Sequence, residues 1–144
     1  MQNVRQILQK KGSQVWSISP DNTVYDALKL MAEKDLGALL VIENEQLVGI
    51  MSERDYARKV ILKGKASKDA PVKEIMTSNV LYIQPDRTME ECMEIMSEKR
   101  IRHLPVMEDG NLVGVISIGD VVTSVIAEKE YTIKQLENYI HGSR

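Results

Sequence analysis

Two four-residue stretches of this chain carry side chains spaced for holding a small polar ligand: Ser52-Glu53-Arg54-Asp55 and Ser117-Ile118-Gly119-Asp120, 65 positions apart. Each follows an apolar run that reads as a strand and opens a run that reads as a helix. An Asp in the first helical turn can accept both hydrogen bonds from a vicinal diol such as that of ribose, and the Ser hydroxyl and free amides offer further partners. The same residues also make a variant capping box, with Ser satisfying the third amide and Asp favoured by the helix dipole. On residue type alone capping is the simpler reading. The two are compatible, because a cap fixes the carboxylate in place.

Other reactive side chains are few. His103 has no activated Ser or Cys at matching spacing, so a general-base role lacks its partner and the chain reads as a non-enzyme. The only histidines are His103, in a strand, and His141, in the tail, which gives no basis for a metal site. The single cysteine, Cys92, excludes an internal disulfide and a thiolate-rich zinc site, and points to a reducing compartment. It falls on an apolar helix face and reads as a buried small hydrophobe.

The elements that position these residues come from a chain of 144 residues with 43% hydrophobic content, enough for one ordinary domain or two small ones. Lys plus Arg (19) nearly balances Asp plus Glu (21), so the net charge of -2 offers no field for a polyanion and nucleic acid is not expected. No apolar run approaches the roughly 18 residues of a membrane helix, and MQNVRQILQKKG lacks the apolar centre of a secretory signal. The expectation is a soluble, cytoplasmic protein.

Sliding the sequence by 65 positions lays Val15–Ile61 on Val80–Ile126 without a gap, and more than a third of the 47 pairs are identical, Pro20/Pro85, Thr23/Thr88 and Gly49/Gly114 among them. Val4, Ile7 and Leu8 match Val72, Ile75 and Met76 once three residues are allowed for. Each copy predicts a short strand (Val15–Ile18, Val80–Ile83), a Pro-Asp-x-Thr cap and an amphipathic helix. The apolar faces are Val24, Ala27, Leu28 and Met31, and Met89, Cys92, Met93 and Met96. Two hairpins follow, Ala38–Ile42 with Leu47–Met51 and Arg102–Met107 with Leu112–Ile116, turning at 43–46 and 108–111. A second helix starts at Ser52 or Ser117. The fold class is α+β, two β-α-β-β-α repeats packed sheet to sheet. The boundaries expected are an N-terminal turn or helix 1–14, a first domain 15–66 with linker 63–71, a second domain 72–128, and a tail 129–144 whose short helix carries Ile133, Leu136 and Ile140 on one side. That stripe needs a partner surface.

With VGIMSERD closing one copy and VGVISIGD the other, the chain resembles a tandem pair of cystathionine-β-synthase (CBS) domains, the Bateman module. The resemblance implies a regulatory module that binds adenosine ligands, namely AMP, ADP, ATP, NAD or NADH, and less readily S-adenosylmethionine, in two clefts related by a pseudo-twofold axis. No metal is required. It also implies a stand-alone, homodimeric pair that signals through an unknown regulated protein, with no membrane involved. The adenine slot then falls to Ser17, Ile18, Tyr82 and Ile83 beside Ala38 to Leu40 and His103, Leu104 and Pro105, residues any sheet core would also contain.

A phosphate needs cations or N–H donors, and the copies differ in supplying them. Arg102 and His103 stand where the first copy has Gly37 and Ala38, whereas Arg54 and Arg58 stand where the second has Gly119 and Thr123. In similar pairs the basic residues before the Leu-Pro strand serve the other copy's Asp, which assigns Arg102 and His103 to the Asp55 cleft. Gly119 marks Asp120 as the cleaner nucleoside clamp. Arg54 and Arg58 suit a phosphate or a solvated helix face equally. The rival readings are a pure interaction module with vestigial clefts and a nucleotide-processing enzyme.

Overall fold

The computed structural model describes residues 2–140. Asn3 opens α1 (Val4–Lys11), accepting the Gln6 amide while the Gln6 side chain accepts the Asn3 amide. After β1 (Ser17–Ile18), Thr23 caps α2 (Val24–Lys34), its hydroxyl 3.1 Å from the Asp26 amide. The hairpin of β2 (Ala38–Glu43) and β3 (Gln46–Ser52) leads to α3 (Glu53–Tyr56), one turn that widens into a π-helical turn at Ala57–Ile61. The copy restarts with α4 (Val72–Ile75) and α5 (Met89–Lys99), whose cap Thr88 is answered by Glu91. β4 (His103–Glu108), β5 (Asn111–Ser117) and α6 (Ile118–Ile140) complete the chain.

Both hairpins turn on two residues that each take a positive φ: Asn44 (52°) and Glu45 (64°), and Asp109 (51°) and Gly110 (80°). This is the primed turn geometry whose twist matches that of the flanking strands, and it sets the register Glu43 to Gln46 and Glu108 to Asn111. In the first copy β1 adds in parallel to β2 (Ser17 to Leu40, Ile18 to Val41), giving the order β1-β2-β3. In the second, the strand expected at Val80–Ile83 shrinks to a single bridge, Ile83 to Val106, held by Ile83 N–H to Pro105 O (2.9 Å) and Met107 N–H to Ile83 O (2.9 Å). Pro105 occupies the position of Leu40 and has no N–H to extend the ladder toward Leu81. The first strand is short as well, two residues rather than four.

The chain forms two compact units that do not follow chain order: Gln14–Leu81, and Met1–Ser13 with Tyr82–Arg144. Each repeat thus gives up its leading helix, α4 packing in the first-copy unit and α1 in the second-copy unit. In the first, Val72 N–H donates to Asn22 O (2.8 Å) and Lys73 N–H to Pro20 O (3.0 Å); in the second, Val4 N–H donates to Arg87 O (2.8 Å) and Arg5 N–H to Pro85 O (2.9 Å). The residues match copy for copy. A Cβ on Gly49 would lie 2.6 Å from Met76 Sδ and one on Gly114 2.7 Å from Leu8 Cδ2, so the glycine of each Val-Gly pair makes room for the visiting helix.

One core gathers Val24, Ala27 and Met31 of α2 with Leu39, Val41, Met51, Val60, Val72 and Ile75. The other gathers Val4, Ile7 and Leu8 of α1 with Ile83, Met89, Cys92, Met96, Leu104, Val106, Ile116 and Val121. Of the expected helix faces, Leu28 is only half-buried and Met93 is exposed. The tail is not a separate helix. With no Gly or Pro between Asp120 and Ile140, α6 runs on as 23 residues, whereas the first copy's helix stops before Gly64 at φ 69°. No helix among the described residues is long and apolar enough to cross a membrane.

Candidate functional site

Both Ser-x-x-Asp stretches sit where the last strand of a hairpin becomes a helix. The first helical amide is held by the backbone that precedes the hairpin: Glu53 N–H donates to Gly37 O (3.1 Å), and Ile118 N–H to Arg102 O (2.8 Å). Ser52 Oγ accepts the Asp55 amide (3.2 Å), and Asp55 Oδ2 accepts from the Ser52 amide (2.9 Å) and hydroxyl (3.1 Å). Ser117 Oγ accepts the Asp120 amide (3.2 Å), and Asp120 Oδ2 accepts the Ser117 amide (2.8 Å). The capping reading therefore holds in both copies, and the cap fixes each carboxylate at the strand end.

Each carboxylate also meets a lysine that lies outside the motif. Lys59 Nζ lies 3.2 Å from Asp55 Oδ1 and donates to Ile75 O at the end of α4 (2.9 Å). Lys11 Nζ, from the last turn of α1, donates to Asp120 Oδ2 (2.7 Å) and to Val115 O (3.0 Å). Burial pushes the Asp120 carboxyl up, but the Lys11 ammonium and the Ser117 amide and hydroxyl outweigh it and hold the group below the ordinary carboxylate range. An ionised, oriented acceptor at a strand end suits hydroxyl donors.

The adenine-slot residues divide. Ser17 is exposed and Ile18 half-buried beside Leu40 and Val41. Tyr82 is exposed, while Ile83, Leu104 and Pro105 are buried, the first two in the second-copy core. Arg54 and Arg58 are exposed on the helix after Ser52, and Arg102 is exposed just before β4. His103 pairs with Ser117 across the ladder, so within its own unit the Arg102-His103 pair borders Ser117 and Asp120. Gly119 is exposed, and a Cβ there would meet only Ser117 Oγ at 3.6 Å, so the protein's own packing does not require glycine.

Cys92 is fully buried, and burial pushes its thiol up to about 11, leaving an inert thiol at neutral pH. Among the described residues no three His, Cys, Asp or Glu side chains are grouped to hold a metal ion, and His141 lies outside those residues. Sequence reasoning missed Lys11 and Lys59. Lys59 had a signal, since it follows Asp55 at helical i,i+4 spacing. Lys11 had none beyond the faint match of Val4, Ile7 and Leu8 to Val72, Ile75 and Met76.

The CBS-domain pattern matches residues 4–62 and 72–127. The chain belongs to the CBS-domain family. It is 41% identical over 136 residues to the mitochondrial CBS domain-containing protein CBSX3 of Arabidopsis thaliana, covering 91% of this chain and 66% of that protein, so it spans slightly less than two thirds of that relative's length. A CBS-domain protein structure from Burkholderia ambifaria MC40-6 superposes with a TM-score of 0.86 at 51% identity, covering 88% of this chain and 95% of that one. The hexameric CBS-CP12 protein of bloom-forming cyanobacteria superposes with a TM-score of 0.74 at 32% identity, covering 85% and 71%. CBS-domain pairs are generally regulatory or signal-transduction modules rather than catalysts.

Proposed function

We propose that this CBS-domain pair is an adenine-nucleotide sensor that binds AMP-, ATP- or NAD-type ligands and passes their presence to a partner protein. The observation that carries the reading is the matched pair of carboxylates, Asp55 and Asp120, each fixed by its capping serine at a strand-to-helix junction. A cap alone does not need the same Ser and Asp in both copies, because Thr-x-x-Glu does the same work at Thr88. The arrangement suits a ribose diol, with Gly119 leaving room beside Asp120. Cytoplasmic location and a homodimer belong to the same reading.

Calorimetric titration with AMP, ADP, ATP, NAD, NADH and S-adenosylmethionine tests it. At least one should bind, and Asp120→Ala or Asp55→Ala should cost about 3 kcal/mol, roughly a hundredfold, for two charge-assisted bonds. Each substitution also removes the carboxylate half of a capping box and lowers stability by up to about 1 kcal/mol, so titrations belong well below the melting temperature. If no ligand binds, or both variants bind as the parent does, the motifs are caps only and the pair is an interaction module.

A further inference from the structure

The four acceptor sites of a carboxylate limit what Asp120 can do while Lys11 is in place. Asp120 Oδ2 already takes two donors, the Ser117 amide at 2.8 Å and the Lys11 ammonium at 2.7 Å. A diol that gives one hydroxyl to each oxygen needs room on Oδ2, so one donor must leave. The Ser117 amide is fixed by the cap and by the β4–β5 ladder. Lys11 is the mobile donor: its side chain is 38% exposed, it hangs from the last helical turn, and Gly12 follows at φ 96°. Its second bond, to Val115 O, ties the end of α1 to β5.

We propose that Lys11 is a latch on the Asp120 site, which an adenosine ligand must displace, so that binding frees the last turn of α1. The first copy has a related contact, since Lys59 joins Asp55 to the end of α4. Asp55 differs in that Lys59 sits on Oδ1 while the cap occupies Oδ2, so the oxygen shared between cap and lysine, and with it the latch, is the one at Asp120. The inference rests on the sensor reading given above and adds a direction of coupling, from the ribose clamp to the N-terminal helix.

Lys11→Met keeps the length of the stem and removes the donor. Adenosine, which carries no charge for Lys11 to attract, is the probe. The variant should bind adenosine roughly tenfold more tightly than the parent chain, one charge-assisted hydrogen bond no longer having to be broken. In the parent, saturating adenosine should speed hydrogen exchange of the Gly12 amide, which donates to Leu8 O at 2.9 Å, while leaving Val4 and Arg5 unchanged. Unchanged or weaker adenosine binding by Lys11→Met, with the parent binding normally, overturns the latch and leaves the sensor reading intact. Binding by neither chain overturns both. A thermal melt of Lys11→Met verifies that the variant is folded.

Discussion

A carboxylate in the first turn of a helix is favoured by the free amides around it, and a nearby ammonium deepens the preference. At Asp120 this combination holds the carboxyl below its ordinary range despite burial. A depressed carboxyl contributes stability that is fully present above its unfolded value of about 3.9 and is lost as pH falls through the lower folded value. Lys11→Met removes the ammonium that Asp120 faces, so the stability gap between parent and variant should be constant near pH 7 and close below about pH 4. Denaturant melts from pH 7 to pH 2.5 measure it, and a gap independent of pH would mean that Lys11 stabilises through its bond to Val115 O and not through the Asp120 charge. The surface pair Arg5 with Glu108, 2.6 Å apart and nearly half exposed, adds little by comparison.

At the scale of elements, α1 is a structural member of the second-copy unit rather than a leader. Val4, Ile7 and Leu8 are each at most 8% exposed. Burying three such side chains stabilises by roughly 1.5–3 kcal/mol apiece, a sum that approaches the ~5–15 kcal/mol stability of a typical domain. Removing residues 1–13 should therefore strip hydrogen-exchange protection from β4, β5 and α5 and spare β2 and β3; equal loss in both hairpins would contradict the division of the chain into these units. The sequence already carried the hairpins, their turns, the caps and the amphipathic faces, because each depends on residues within a few positions of one another. The destination of α1 was not legible, since Leu8 meets Gly114 across more than a hundred residues and nothing local encodes the meeting. Nor was Lys11, whose partner is defined only once α1 has docked. The loss of the strand at Val80–Ile83 was written in Pro105, but only a known register, Tyr82 opposite Pro105, gives that proline its effect.

Across the whole molecule, α6 presents a second apolar face besides the one that meets the core. Val122, Ile126, Ile133, Leu136 and Ile140 are all at least 46% exposed and recur at three, four or seven residues, the spacing of a packing seam. Closed homo-oligomers are most often twofold, and covering this face by self-association predicts a dimer of about 33 kDa, twice the 16.3 kDa chain. Sedimentation equilibrium at micromolar concentration should find that mass, and Ile133→Glu with Leu136→Glu should return the monomer. A parent chain that sediments as a monomer would remove the dimer from the sensor reading.

The exchange of leading helices also orders events during synthesis. All of Gln14–Leu81 has been made once Leu81 leaves the ribosome, whereas α1, made first, finds the last of its core partners only when Val121 has been added. At about 5–20 residues per second, Val4, Ile7 and Leu8 spend on the order of 5 to 25 s without their core. Through that interval the nascent chain carries a short amphipathic helix without its core, open to chaperones and to the same segment of neighbouring chains on the same message.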